Sequence, residues 1–449
     1  MIAPILARRD AAAFWLAVVL TGIGTGLGAA ALTGLLELVQ HTVWSGAGID
    51  LLDAAARSPA WWRVAVLVGA GLLTGAGQLV LVRLSSANSI DITAAIWFHA
   101  GRLPTVRTLG SAVLSVLVVG MGASLGREGA PKQTGAVIAN VLADRARLTD
   151  DARRLLVACG AGAGMGAAYG VPLGGALFAL EVLRGELALR YVLPALVTAL
   201  IATGVSWTFL PDAPTYLIPA YPGSVSVTMW SLVAGPIVGV VAVAYVRAVA
   251  WADRHRPKVV WRVWAPVLAL AVVGIVAIRF PQVLGNGRDV AQLAFTGQVG
   301  AVLLLALLFL KPFATLLCLG SGTPGGLFTP SLAFGALLGG LLGLAWSALW
   351  PGVPPGLFAV LGAAAMLAAT TQGPLSAIVL MIELTGQARA FIVPLLLVVA
   401  MATLVARTIE PRSIYDARLT DAEVQARLRS RDPEEPDQAQ ADATQKKQA

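Results

Sequence analysis

The chain has 449 residues, of which 57% are hydrophobic and only 12% charged, and its mean hydropathy is +0.78. That balance excludes a water-soluble domain and predicts an all-α integral membrane protein, because helices satisfy their own backbone hydrogen bonds in lipid. The net charge of +8 is spread over loops such as Arg145 to Arg154 and Arg254 to Lys258, so a nucleic-acid partner is not expected.

Arg8 and Arg9 precede the first apolar run, at about 12–40, and favour a cytoplasmic N-terminus. That run is too long for a signal-peptide core and has no small-residue cleavage site, so it is expected to be a first membrane helix. Further apolar stretches follow at about 62–84, 108–125, 155–183, 191–210, 228–250, 262–279, 299–319, 327–350, 357–385 and 390–408. Several exceed the ~20 residues of one crossing and contain Gly or Pro, which predicts tilted and broken helices, more numerous than the stretches themselves. Residues 1–418 form the expected transmembrane domain, and the polar segment 419–449 an expected tail, largely disordered and cytoplasmic. Cys159 and Cys318 lie in apolar surroundings, and His41, His99 and His255 stand far apart. No disulfide framework, metal site, cofactor or catalytic triad is expected, and an enzyme is the most distant reading.

Between two of these stretches lies Gly126-Arg127-Glu128-Gly129-Ala130-Pro131. Each charge there would cost at least ~2.5 kcal/mol at the centre of a bilayer. The glycines bare the backbone, and Pro131 suits the first turn of a helix. A helix beginning in mid-membrane points free N–H groups and a positive dipole end at its surroundings, which favours an anion beside Glu128. A carboxylate at an anion site competes with the anion when ionised and vacates the site when protonated, so Glu128 is a candidate gate. A salt bridge to Arg127 or to Lys132, one turn further on, is the structural alternative. Lys132 is a candidate for tuning entry to the site or for reaching an aqueous vestibule.

A second helix start, Gly320-Ser321-Gly322-Thr323-Pro324-Gly325-Gly326-Leu327-Phe328-Thr329-Pro330, offers bare N–H groups around Leu327 and Phe328. Together the two starts predict one anion cradle that binds through partial charges, loosely enough to release. Each start is followed by a proline-leucine helix carrying a glutamate at the same offset, Pro172 with Glu181 and Pro374 with Glu383. This repeated order predicts two internal repeats, about 12–210 and 228–408, with Glu181 and Glu383 in matching structural roles. The spacing alone does not decide between parallel and inverted repeats. Ser413-Ile414-Tyr415-Asp416 follows the last apolar stretch.

The segments GREGAP at 126–131, GSGTPGGLFTP at 320–330 and SIYD at 413–416 resemble the CLC family of chloride channels and proton-coupled chloride antiporters, as do Pro281 to Gly287 and the two proline-leucine-glutamate helices. The resemblance covers roughly residues 10–418. It implies a homodimer in membrane lipid, with an anion pathway in each subunit built from two halves of opposite orientation. By that resemblance Glu128 matches the external gating glutamate, the backbone from Gly326 through Leu327 to Phe328 an anion-coordinating helix start, and Tyr415 an inner-gate tyrosine. With them Gly126, Arg127 and Gly129 are candidate anion-binding residues. The family's first pore motif falls here on Ala87-Asn88-Ser89-Ile90-Asp91, where Asn88 or Ser89 takes the hydroxyl position. Chloride is the expected anion, with nitrate and fluoride as alternatives. Val182 stands where many antiporters carry an internal proton-transfer glutamate, which favours a voltage-gated-type channel over a carrier that also moves protons. The composition fits a prokaryotic inner membrane with both termini cytoplasmic.

Overall fold

The same succession of helices occurs twice. The computed structural model describes residues 8–44, 50–85, 90–221, 224–257, 261–387, 391–416, 419 and 422–426. Its first half holds α1 (Arg8–Trp44), α2 (Leu51–Arg57), α3 (Ala60–Leu84), α4 (Ile92–Phe98), α5 (Thr105–Gly120), α6 (Gly129–Arg145), α7 (Asp150–Tyr169), α8 (Pro172–Leu177, continued by a π-helical turn over Phe178–Arg184) and α9 (Leu189–Ser206). The second holds α10 (Val225–Arg254), α11 (Trp261–Arg279), α12 (Arg288–Phe295), α13 (Ala301–Gly320), α14 (Phe328–Leu349), α15 (Pro355–Thr371), α16 (Pro374–Thr385) and α17 (Ile392–Ile409). With α2 set aside, the series match one for one, from α1 with α10 and α3 with α11 to α9 with α17. Packing repeats as well: α1 lies on α9 as α10 lies on α17, and α6 lies on α7 as α14 lies on α15.

Equivalent helices run in opposite directions. Gly71 and Gly75 of α3 face Val267 and Val263 of α11, so residue numbers rise along one helix as they fall along the other. The N-terminus of α8 meets Glu383 near the end of α16, and the N-terminus of α16 meets Glu181 beyond the end of α8. The repeats are therefore inverted, the question that spacing left open.

Among the described residues, eight helices are long and apolar enough to cross a membrane. Others are not: α15, with 17 residues, reaches only ~26 Å at 1.5 Å per residue, short of a ~30 Å hydrocarbon core. The polar α6 carries Lys132, Gln133, Asn140 and Asp144, yet α1, α5 and α7 pack around it, so protein rather than lipid is its main neighbour. Glycines set the closeness of such pairs. Gly335, Gly339 and Gly343 of α14 face Met366, Gly362 and Phe358 of α15, where a side chain would collide with the neighbouring helix.

Gly24 and Gly28 of α1 face Ile138 and Thr134 of α6, so α1 runs against α6 and begins on the face where α6 ends. Gly235 and Gly239 of α10 face Met401 and Val405 of α17, so those two helices run parallel and end towards the same face, α10 running on past the end of α17. Part of the expected tail is packed: Leu419 and Val424 bury themselves against Ala94, beside Ile90 and Phe98. They are apolar residues in a polar segment, and the apolar surface at α4 accommodates them. The tail beyond 426 lies outside the described residues.

Candidate functional site

Two helix starts meet inside the protein, and a carboxylate lies between them. Gly126 N–H donates to the Gly326 carbonyl at 2.7 Å, and Gly326 N–H donates to the Gly126 carbonyl at 2.8 Å. This bridge is antiparallel. From it the chain enters α6 at Gly129 and α14 at Phe328, each with a proline at the third helical residue, Pro131 or Pro330. That is a position where the missing N–H costs no intrahelical bond. Glycine at 126 and 326 leaves the space that the Glu128 carboxyl group fills, because a Cβ at either would strike that group. The two glycine amides are spent on each other, so these residues shape the cradle by leaving room.

Glu128 is fully buried, at 0% exposure. Its Oε1 accepts from Phe328 N–H at 2.7 Å. Its Oε2 accepts from the Thr329 hydroxyl at 3.1 Å and from the Tyr169 hydroxyl at 3.4 Å. These two hydroxyl oxygens are themselves 2.7 Å apart. The carboxylate thus caps the first turn of α14, where the orphan N–H groups and the positive helix end stabilise a negative charge by about 0.3–2 kcal/mol. A small free anion would find the same donors there. The Glu128 carboxyl group takes these donors rather than forming the alternative salt bridge with Arg127: the Arg127 guanidinium lies over the Tyr169 ring, 4.9 Å from its centroid.

Arg127 also lines a cleft of about 490 Å³ with Tyr169, Arg288 and Asp289. An adjoining cleft of about 350 Å³ shares Arg127 and adds His41 and Leu51. Both clefts border Arg127, the residue before Glu128. On its other side stands Lys132, four residues along α6. Lys132 Nζ donates to the Tyr415 hydroxyl at 3.4 Å, lies 4.7 Å from the Tyr415 ring centroid and 5.2 Å from that of Phe178. Lys132 is 6% and Tyr415 7% exposed.

Tyr415 is held in place by its own turn. Asp416 Oδ2 accepts from Ser413 N–H at 3.0 Å and from the Ser413 hydroxyl at 2.7 Å, and Ile414 N–H donates to the Thr370 carbonyl at 2.7 Å. The Phe178 ring meets Tyr415 edge-on, 5.7 Å between centroids and 85° between planes.

Glu181 and Glu383 cap each other's repeat. Glu181 accepts from Leu375 N–H at 3.1 Å, Ser376 N–H at 2.6 Å and the Ser376 hydroxyl at 2.6 Å. Glu383 accepts from Leu173 N–H at 3.0 Å and Gly174 N–H at 2.6 Å. Their expected matching role is helix capping. Val182, beside Glu181, is buried at 1% exposure against Gly373.

Of the residues named from the sequence, Gly126, Glu128, Gly129, Gly326, Leu327 and Phe328 come together at the bridge, Arg127 lines its outer approach, and Tyr415 stands beyond Lys132. Asn88 and Ser89 lie outside the described residues. Sequence reasoning passed over Tyr169, Thr329 and Phe178. Thr329 sits within the quoted second helix start, next to Phe328, and that proximity was the available signal. Tyr169 ends α7 before Gly170, which adopts a left-handed conformation at φ 69°, and nothing in its local sequence points to a partner.

A model of the family described as voltage gated chloride channel matches residues 78–407. A putative chloride channel protein ClcB-like from Ralstonia nicotianae is 33% identical over 406 residues, covering 86% of this chain and 93% of that protein. An H(+)/Cl(-) exchange transporter ClcA from Vibrio parahaemolyticus is 31% identical and covers 70% of this chain and 69% of its own. Among solved structures, a slow cyanobacterial Cl-/H+ antiporter superposes with a TM-score of 0.79 at 23% identity, covering 94% of this chain and all of that one (100%). This last likeness is one of fold.

Proposed function

The chain belongs to the CLC family of voltage-gated chloride channels, and from that premise we propose that it carries chloride or a similar small anion across a membrane past Arg127, Glu128, Lys132 and Tyr415, with Glu128 as the gate. The observation that carries this reading is the bond from Phe328 N–H to Glu128 Oε1 at 2.7 Å. That bond seats a carboxyl group on a helix-start N–H, the kind of donor that binds anions. Phe328, with Leu327 and Gly129 beside it, forms the outer anion cradle, and Gly126 and Gly326 keep it open. Tyr415 bounds the path on the inner side. Asn88 and Ser89 are assigned to the inner approach on the motif resemblance alone. The pathway needs no cofactor, and its residues serve transport rather than enzymatic turnover.

The mode we favour is passive conduction. Val182 is apolar, and the Glu181 carboxylate beside it is held by three donors at the start of α16, so neither is placed to relay protons. The second reading, proton-coupled exchange, draws support from the relative named an H(+)/Cl(-) exchange transporter and from the hydroxyls of Tyr169 and Thr329 against Glu128.

The orientation follows from charge. Arg145, Arg147, Arg153 and Arg154 stand where α6 ends and α7 begins, on the face where α1 also starts, and Arg254, Arg407 and Arg412 accompany the ends of α10 and α17. By the positive-inside rule this is the cytoplasmic face, with both termini on it, in a prokaryotic inner membrane. A homodimer is proposed from the family resemblance, and light scattering of the detergent-solubilised protein checks it.

Purified protein in liposomes provides the test, with chloride efflux and external pH recorded together. The proposal expects chloride efflux that Glu128→Gln and Glu128→Ala alter in rate and in pH dependence. Wild-type efflux whose rate and pH response both variants leave unchanged would remove Glu128 from the gate. Protons driven uphill by a chloride gradient would select the exchange reading over conduction. Nitrate and fluoride in place of chloride establish the anion, and strict fluoride preference would overturn chloride.

A further inference from the structure

We infer that Lys311 is a positioning residue for the gate: its ammonium gathers the carbonyls of Val283, Leu284 and Gly285, and through Gly122 that clamp fixes the segment that seats Glu128 against Phe328 N–H. This rests on the reading of Glu128 as the gate and adds to it a residue outside the cradle.

Lys311 stands in a costly place. It lies halfway along the 20-residue α13, a helix long and apolar enough to cross a membrane, and is 1% exposed. Among the described residues no carboxylate pairs with it. Its ammonium donates instead to three carbonyls, at 2.9 Å to Val283, 3.2 Å to Leu284 and 2.8 Å to Gly285, which uses every N–H it has. Taking a charge out of water is costly even when each donor is matched, so stability alone is a poor reason for a lysine here. An ionisable side chain inside a membrane helix points to function, through the partners it holds.

Two lines of contact run from α13 to the segment ahead of Glu128. In the first, the 3-10 turn Pro281–Val283 and Gly285, in a left-handed conformation at φ 65°, bring three successive carbonyls onto Lys311. Gly285 N–H then donates to the Gly122 carbonyl at 2.9 Å. In the second, Thr315, one turn beyond Lys311 on α13, has its hydroxyl oxygen 3.3 Å from that of Ser124. Gly122 and Ser124 immediately precede the Gly126–Gly326 bridge, and Glu128 immediately follows it.

One helix thus serves both sides of the bridge. The end of α13 leads directly into the second helix start, Gly320 to Pro330, while Lys311 and Thr315 hold the approach to the first. A displacement of the 283–285 loop therefore changes how the two starts meet. The seat of Glu128 depends on that meeting, because its carboxyl group fits against Gly126 and Gly326. The bond from Phe328 N–H to Glu128 Oε1, at 2.7 Å, is lost by a shift of about 1 Å.

The experiment compares wild type, Lys311→Met, Lys311→Gln and Lys311→Arg by liposome chloride efflux across pH and by amide hydrogen exchange in detergent. Without the clamp the seated, ionised Glu128 is less favoured. Lys311→Met is therefore expected to raise efflux at neutral pH about tenfold and to move the pH midpoint of efflux up by about one unit, one change in free energy read in two ways. The other ionisable groups around Glu128 are Arg127 and Lys132 on its own segment, Tyr169 of α7 and Tyr245 of α10, and every variant leaves them in place. Exchange across residues 120–129 should quicken about tenfold while that of α17 stays as in wild type, which separates a local clamp from a general loss of stability and from an effect of charge alone. Lys311→Arg keeps the charge and the donors, and should return all three readings towards wild type. In a Glu128→Gln background, Lys311→Met should alter efflux by no more than about twofold, because the clamp acts through the carboxylate. If Lys311→Met does not fold, Lys311→Gln reaches fewer carbonyls and is expected to act in the same direction. Neutral variants with wild-type efflux, midpoint and exchange would overturn the inference. Failure of both to fold would overturn it as well, by giving Lys311 to the stability of the whole molecule. Absence of efflux from wild type would instead contradict the transport reading, while the exchange comparison would still decide the role of Lys311.

Discussion

Glu128 is costly to bury, and its surroundings explain how the cost is met. One backbone N–H donates to its carboxyl group, and the hydroxyls of Thr329 and Tyr169, bonded to each other at 2.7 Å, lie against it; removing a bond to a buried charged group typically costs about 1.5–3 kcal/mol. Gly326→Ala puts a methyl group where the carboxyl group lies. It is expected to displace Glu128 and raise chloride efflux at neutral pH about tenfold, the equivalent of one such bond; efflux equal to wild type would show that the carboxylate is not the obstruction. Glu181→Gln tests the opposite kind of residue. It removes the charge from a helix cap and should lower stability by about 0.5–2 kcal/mol, read as a lower melting temperature in detergent, with anion selectivity unchanged. The sequence made Glu128, Phe328 and Tyr415 legible because each sits in a motif with its own local logic. Tyr169 had no such mark: its partners Glu128 and Thr329 are 41 and 160 residues away, and only the fold brings them together.

Elements divide by what surrounds them. Lipid-facing helices announce themselves by hydropathy, and the described residues include eight of crossing length. The helix that follows Glu128 does not: α6 holds Lys132, Gln133, Asn140 and Asp144, and it tolerates them because α1, α5 and α7 enclose it. Single apolar stretches were likewise divided by the fold, 155–183 into α7 and α8 and 357–385 into α15 and α16, with Pro172 and Pro374 opening the second helix in each. At the α14–α15 contact, Gly339→Leu would drive a side chain into the backbone around Phe358 and Gly362. A cost of about 1–3 kcal/mol or more is expected, visible as loss of the folded species on size exclusion; an unchanged elution profile and melting temperature would contradict the packing described. The end of α17 is acid-sensitive. The hydrogen bonds of Arg412, and then of Arg247, outweigh burial and hold the Glu410 carboxyl below the usual glutamate range. A lowered folded-state pKa contributes stability that is complete above the ordinary value of about 4.3 and lost as the pH falls below it. Glu410→Gln should therefore reduce stability at pH 7 and flatten its decline between pH 5 and pH 3, as followed by thermal unfolding in detergent.

At the scale of the molecule, inversion is what makes the site. Two helix starts of the same type can point at one place from opposite sides only if the repeats carrying them are antiparallel, as α3 and α11 show. The duplicated motifs revealed that there were two repeats. Their relative direction was not legible, because motif order along the chain is the same for parallel and inverted copies, and only contacts between the halves distinguish them. The inverted halves also bring Glu181 and Glu383 to each other's helix starts, tying the two repeats together. The central claim is that Glu128 occupies an anion's place, and diffraction at the bromine absorption edge from Glu128→Gln crystals grown in bromide tests it most directly. The account predicts an anomalous peak within hydrogen-bond distance of Phe328 N–H, with the glutamine side chain withdrawn from the cradle. A cradle without bromide, still filled by the side chain at 128, would contradict it.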